Sequence, residues 1–257
     1  MEAIALGSRL AGCRGVRVLG VKPCFADYSA EELRLIRDAP RIYYPGPFYA
    51  DILEAMGKSI FPSCMNHAFA QDKIRQTALF SALGVPHPRT RVYFGKKRQG
   101  RILADFSFPF IAKIPRNSSQ GRGVFLVTGP EELAVYCGMV HAAYIQEYIP
   151  VDRDVRVVVI GKEAVAAYWR IAPPLSVTSN LAQGGRIETR GVPDLAVETA
   201  LAAARAAGFD DVGLDICVYQ GRAVVLEANM KYGTKGLSVL GLDYRRLMEN
   251  LIADGKI

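Results

Sequence analysis

The chain has 257 residues, half of them hydrophobic, and a formal charge of +7; this supports a sizeable core in one to three domains and a surface suited to anions. No apolar run approaches the roughly 20 residues that span a bilayer, and the first residues, with Glu2 and a short apolar patch, make a poor signal peptide. Five scattered cysteines without a C-x-x-C pair and three isolated histidines argue against structural zinc and a disulfide framework and for a reducing, cytoplasmic setting.

In chain order, GVRVLGV (15–21) and RIYYPG (41–46) read as strands. SAEELRLIRDA (29–39) opens with Ser29 and has Glu32 three residues on, the pattern of a capping box. PFYADILEAMG (47–57) carries Pro47 near a helix start and Gly57 past its end. These pieces predict a small α/β unit over residues 1–66. AFAQDKIRQTALFSALG (68–84) reads as one helix stopped by Gly84. Hairpins follow at 108–127, 144–169 and 212–229, with helices at 130–141, 193–208 and 243–255. The whole is α+β.

Two hairpins carry chemistry. FPFIAKIPRNSSQGRGVFLV (108–127) places Lys113 in a strand ahead of a glycine-bearing tip. Its order is wrong for a P-loop or a Rossmann turn, because the lysine precedes the glycines and a strand follows them. A solvated tip and a phosphate lid both remain open. VGLDICVYQGRAVVLEANMK (212–231) sets Asp215, Glu227 and Asn229 in apolar strands, where acids are disfavoured unless they have a partner. Glu227 and Asn229, two apart, share a face. A two-residue turn at Gln220–Gly221 puts Asp215 and Glu227 on opposite faces, whereas a three- or five-residue loop centred on Gly221 makes them cross-strand partners. Three oxygen-bearing side chains on one face suit a hard cation.

In YIQEYIPVDRDVRVVVIG (144–161), Gln146 to Ile149 end one strand, and Asp154 and Arg156 share a face of the next. A strand-end backbone can bond an adenine edge and an acid can take ribose hydroxyls.

Taken in order, these pieces resemble the ATP-grasp superfamily, most closely the RimK-like alpha-L-glutamate ligases, over about residues 68–252. DKIRQTALFSALGVPHPRT, FIAKIPRNSSQGRGV, IQEYI, DVR, SNLAQGG and GLDICVYQGRAVVLEANMKYGTKGL carry the likeness. The resemblance implies an ATP-grasp fold, two α+β subdomains gripping ATP, at 67–257 with a lid at about 86–144, preceded by the α/β unit. It also implies an ATP- and Mg²⁺- (or Mn²⁺-) dependent carboxylate–amine ligase.

Lys73 and Lys113 would contact phosphates under a lid that includes Ser118, Ser119, Gln120, Gly121 and Gly123. Gln146, Glu147, Tyr148 and Ile149 would line the adenine site, with Asp154 at the ribose. Asp215, Glu227 and Asn229 would hold the metal. Arg156 and Arg170 would face the acyl-phosphate, with Ser179 and Asn180 near the terminal phosphate. The implied partners are an amino-acid substrate and a small-molecule or peptide acceptor, with no nucleic acid and no membrane; homo-oligomerisation stays open.

The chain departs from the family pattern at Thr178, Lys231 and Tyr232. Lys231, Lys235 and Tyr232 together would make a cationic mouth with one aromatic wall, suited to an anionic acceptor. Another ATP-grasp ligase, a phosphoryl transferase, or a nucleotide-binding module without ligase activity remain the alternatives.

Overall fold

The computed structural model describes residues 2–116, 123–173 and 184–257. The expectations for Ser118, Ser119, Gln120, Gly121, Thr178, Ser179 and Asn180 lie outside the described residues.

Four short strands, β1 (Ala3–Ala5), β2 (Val16–Val18), β3 (Arg41–Tyr43) and β4 (Ser59–Phe61), form a parallel sheet in the order β2-β1-β3-β4. Side chains alternate across it. Ile4, Leu6 and Ile42 pack towards helices α1 (Ala30–Asp38) and α2 (Ala50–Ala55), with Ile36, Tyr49 and Leu53. Ala5, Tyr43 and Phe61 face the other way, into the core formed with Leu237 of the short helix α8 (Lys235–Val239) and with Met248 and Leu251 of the last helix, α9 (Tyr244–Ala253). The capping box forms: Ser29 Oγ accepts from Glu32 N at 3.2 Å, and Glu32 Oε2 accepts from Ser29 N at 2.7 Å. Such a cap stabilises a helix by about 1 kcal/mol.

The stretch 68–84 is two helices, not one. α3 (Cys64–Phe69) ends before Gln71, whose φ is +59°, and α4 (Lys73–Leu83) begins after it. Asp72 is the reason. Its carboxylate caps the new helix at Arg75 N (3.0 Å) and pairs with Arg116 (2.9 Å), which is worth more than the same residue in a helix interior. Lys73 thereby becomes the first residue of α4.

The second sheet holds β5 (Thr90–Tyr93), β6 (Phe110–Lys113), β7 (Val124–Val127) and β8 (Ala143–Glu147), antiparallel in the order β5-β8-β6-β7. Helices α5 (Arg98–Asp105) and α6 (Pro130–Met139) cover one face, where Ile102, Leu133 and Tyr136 meet Phe110, Ala112 and Ile145. α5 has no counterpart in the sequence reading.

The third sheet has the order β11-β10-β9-β12-β13, built from β9 (Arg153–Ile160), β10 (Glu163–Ile171), β11 (Arg186–Glu188), β12 (Asp211–Tyr219) and β13 (Arg222–Asn229). One face packs on α7 (Asp194–Ala207), whose Ala196, Ala200, Ala203, Ala204 and Ala207 let the helix lie close to Val155, Val157, Leu214 and Ile216. Segment 144–169 is therefore not one hairpin. β8 belongs to the second sheet and β9 to the third, and residues 148–152 cross between them. Among the described residues no helix is long and apolar enough to cross a membrane.

Candidate functional site

The second sheet contributes a lysine. Phe110 and Ala112 of β6 face that sheet's own core, so Lys113 faces the opposite side. Lys113 is 7% exposed. Burial pushes its amine down to about 8; Glu227 pulls against this, Lys73 adds repulsion, and Asp215 and Asp154 oppose it more weakly. On the same side of the sheet the Tyr144 hydroxyl pairs with Thr77 of α4 at 2.7 Å. Lys73, at the start of that helix, lies 3.0 Å from Glu227 Oε1.

The third sheet contributes the acids. Gln220 and Gly221 have φ of +48° and +73° and form a two-residue turn between Tyr219 and Arg222, which pair. That turn was expected to put Asp215 and Glu227 on opposite faces. They are nevertheless direct cross-strand partners, because the register shifts between Ile216, paired with Val225, and Asp215, paired with Glu227. Leu226 is the extra residue of a bulge, which moves Glu227 onto the face of Asp215. Asn229, two residues on, reaches Asp215 Oδ2 with its Nδ2 at 3.1 Å.

Asp215 is enclosed by guanidinium groups. Arg156 Nε donates to its Oδ1, and Arg170 Nη2 lies 2.9 Å from its Oδ2. Arg170 also holds Asp154, with Nε and Nη2 both 2.7 Å from Oδ1. Burial raises the Asp215 pKa, but Arg156 and Arg170 outweigh it and hold the carboxyl below its usual range. The same partners, Asp154 and Asp215, outweigh desolvation and raise the pKa of Arg170. Among the described residues, Lys73, Lys113, Arg156 and Arg170 thus face Asp154, Asp215 and Glu227. Buried cations gathered in this way suit an anionic ligand.

The remaining expected residues make contacts of their own. Gln146 is buried and donates to Thr90 Oγ1 at 3.0 Å. Glu147 is tied to Arg89, its N donating to the Arg89 carbonyl (2.9 Å) and its Oε1 accepting from Arg89 N (2.7 Å). Tyr148 and Ile149 are half-buried in the crossing between the sheets. Gly123 has φ +80°, and a methyl group on it would lie 2.9 Å from the Ile114 side chain, so the base of the hairpin tip requires glycine. Asp154, expected at a ribose, is engaged by Arg170.

The reading of Tyr232 as an exposed aromatic wall is overturned. Tyr232 is 3% exposed and donates to Asp211 Oδ1 at 2.5 Å. A phenol beside a buried carboxylate folds inward, where both its ring and its hydroxyl are satisfied. Lys231 and Lys235 are exposed.

Two residues that shape the site were missed. Gln76 of α4, 3% exposed, donates to the Ala228 carbonyl (2.8 Å) and accepts from Ala228 N (3.2 Å), which fixes the backbone between Glu227 and Asn229. A glutamine in a helix one turn after Lys73 was the available signal. Gly213 lies between Asp211 and Asp215 on one face of β12, and a methyl group there would sit 3.0 Å from both Arg156 Nη1 and Tyr232 Cβ. A glycine inside an apolar strand marks such a close approach.

Among the described residues no three His, Cys, Asp or Glu side chains form a metal cluster. The donor set is two carboxylates and a carboxamide, which meet through the Asp215–Glu227 pairing and the Asn229–Asp215 contact. That chemistry fits Mg²⁺ or Mn²⁺.

Residues 70–252 match the RimK-like ATP-grasp domain. The chain belongs to this family. It is similar to a probable alpha-L-glutamate ligase of Haemophilus influenzae (strain 86-028NP), with 29% identity over 187 residues, 69% of this chain and 61% of that protein. The chain therefore spans about three-fifths of that relative's length. Among solved structures, a RimK domain ATP-grasp protein from Sphaerobacter thermophilus DSM 20745 aligns with a TM-score of 0.70 and 20% identity, over 97% of this chain and 98% of that chain. A D-alanine–D-alanine ligase from Bacillus anthracis complexed with ATP aligns with a TM-score of 0.71 and 14% identity, over 98% and 96%. The fold is ATP-grasp, as expected.

Proposed function

We propose that this chain is an ATP-dependent carboxylate–amine ligase that forms an amide through an acyl-phosphate, joining glutamate to an amine on a small molecule or peptide. The observation that carries this reading is the buried charge cluster, in which Lys113 of one sheet is set against the paired Asp215 and Glu227 of the other. The family match and the named activity of the Haemophilus relative support it, and the ATP complex of the Bacillus ligase supports the choice of nucleotide.

In this reading Lys73 and Lys113 bind the phosphates, and the backbone at Gln146 to Ile149 receives the adenine. Asp154 takes the ribose side. Asp215, Glu227 and Asn229 would hold Mg²⁺ or Mn²⁺, which when bound neutralises charge on the phosphate oxygens. Arg156 and Arg170 stabilise the oxyanion that forms when the amine attacks; both are pre-oriented by Asp154 and Asp215, so no reorganisation is needed at that step. Water would hydrolyse an acyl-phosphate, so ligation requires its exclusion from the site. All five cysteines are free, which favours a reducing, cytoplasmic setting.

The test is ADP release by the purified protein against a panel of acids and amines, with mass spectrometry of the product. Release that requires both an acid and an amine supports ligation. Release that needs no amine points to phosphoryl transfer, and nucleotide binding without release points to a binding module.

A further inference from the structure

The chain turns back after Asn229, and Tyr232 comes to lie along β12. Asp211, Gly213 and Asp215 alternate on one face of that strand. Tyr232 covers the first two, with its Cβ over Gly213 and its hydroxyl on Asp211, while the Arg156 guanidinium covers Gly213 and Asp215. Tyr232 and Arg156 therefore share the space that Gly213 leaves open.

The same carboxylate reaches into the N-terminal sheet. Asp211 Oδ2 accepts from Tyr44, which follows β3, at 2.8 Å. The Tyr44 hydroxyl is 3.1 Å from that of Tyr244 at the start of α9. Arg9, in the 3-10 turn Ser8–Leu10 after β1, lies over both the Tyr232 and Tyr244 rings, 5.0 and 4.7 Å from their centroids. It donates to the Tyr244 hydroxyl (3.0 Å) and to the Tyr232 carbonyl (3.2 Å). A buried carboxylate is costly unless its oxygens are hydrogen-bonded. Asp211 meets that condition only when Tyr44 and Tyr232 are both in place, which locks the N-terminal sheet, β12 and the segment after Asn229 into one register.

We propose that Tyr232 is a positioning residue, tethering the segment after Asn229 through Asp211 to the N-terminal sheet so that Asn229 and Arg156 keep their places over β12. This rests on the ligase reading of the site. It gives the N-terminal sheet a part in the reaction although none of its residues lies in the charge cluster.

Tyr232→Phe tests it, because the ring that stacks on Arg9 stays and only the hydroxyl goes. Amide exchange across residues 229–234 should speed up about tenfold as that segment loosens. Affinity for Mn²⁺, measured by calorimetry with a non-hydrolysable ATP analogue present, should fall severalfold. The kcat should drop about tenfold with the KM for ATP nearly unmoved, since misplacement rather than lost nucleotide binding is the cause.

Tyr43→Phe is the control. It deletes another buried phenol bond, to the Ile257 carbonyl at 2.9 Å, outside the tether. It should lower the melting temperature without changing kcat. Unchanged exchange at 229–234 overturns the proposal. So does faster exchange with unchanged Mn²⁺ affinity and kcat, or an equal loss of kcat in Tyr43→Phe. If Tyr232→Phe does not fold, Tyr44→Phe removes the other phenol on Asp211 and takes the same readouts. If the wild-type protein releases no ADP with any acid–amine pair, the ligase reading fails on its own, and exchange and Mn²⁺ affinity still decide the tether.

Discussion

Asp215 stands directly across from Glu227 although a two-residue turn joins their strands, because Leu226 is an extra residue in β13. The bulge turns Glu227 and Asn229 onto the face that carries Asp215 and towards Lys73. Bulges re-aim side chains in this way beside functional sites.

Glu227 is charged, pairs across the strands with Asp215 and also holds Lys73, so Glu227→Gln should cost more than Asn229→Ala. Charge stabilisation by a bound metal is worth several kcal/mol, and about 1.4 kcal/mol is tenfold in rate. Glu227→Gln should therefore lower kcat by at least about 100-fold, and Asn229→Ala by clearly less. Steady-state ADP release by the two variants checks the order; equal losses would show that the bulge does not single out Glu227.

The buried amine of Lys113 is costly to keep charged. It is pushed down to about 8 from an ordinary 10.5, with burial as the first cause. The native state then binds fewer protons than the unfolded chain between about pH 8 and 10.5, so stability attributable to Lys113 rises with pH across that window. Below it the buried charge costs on the order of 3 kcal/mol. Lys113→Met should raise the melting temperature at pH 7, give little gain at pH 10.5, and sharply weaken binding of a non-hydrolysable ATP analogue. In the wild-type protein, affinity for that analogue should fall as pH rises past about 8. Melts at the two pH values and calorimetric titrations decide both parts. Unchanged affinity in the variant would return this segment to a plain surface hairpin.

Asp210 shows the opposite sign. Burial is the main reason its carboxyl is pushed up to about 6, against the Ser63 N–H that donates to it at 2.8 Å, with Asp211 adding repulsion. The native state binds more protons than the unfolded chain between about pH 4 and 6, so this contribution to stability is present below pH 4 and is lost as pH rises through 6. Asp210→Asn keeps an acceptor for Ser63 and removes the charge. It should stabilise the protein by on the order of 2 kcal/mol at pH 8 and by little at pH 4. Chemical denaturation at both values measures the difference; an equal change at both would mean that the charge is not the cause.

The α+β class, the Ser29 cap and the shared face of Glu227 and Asn229 were legible because each rests on short-range rules of capping, alternation and spacing. The bulge at Leu226 was not, since nothing local distinguishes it from its neighbours and only the pairing of two strands reveals it. Two departures have the same origin. Segment 144–169 looked like one hairpin because alternation cannot tell which sheet a strand joins. Tyr232 looked like a surface aromatic because its acceptor, Asp211, comes from another element. Gln76 is similar: its partner, Ala228, is 152 residues away and contributes only backbone.

Gly213 tests the packing of the site without replacing any charged group. Its bare Cα leaves the space in which the Arg156 guanidinium extends to Asp215 and the Tyr232 Cβ settles. A methyl group there would lie 3.0 Å from both, closer than ordinary carbon contacts, so one neighbour must shift by a few tenths of an ångström. Tyr232 is fixed by Asp211 and Arg9, and the Arg156 guanidinium, at the end of a longer side chain, is the group that yields. Overpacking of this kind costs about 1–3 kcal/mol, and a small misplacement of a catalytic group can cost up to about 100-fold in rate. Gly213→Ala should therefore fold, with a melting temperature a few degrees lower, and lose more kcat than its stability loss accounts for, while the KM for ATP stays near the wild-type value because Lys73 and Lys113 are untouched. Kinetics of ADP release and a thermal melt on the same preparation separate the two effects. A variant that loses stability but keeps its kcat would mean that Arg156 does not need its present position.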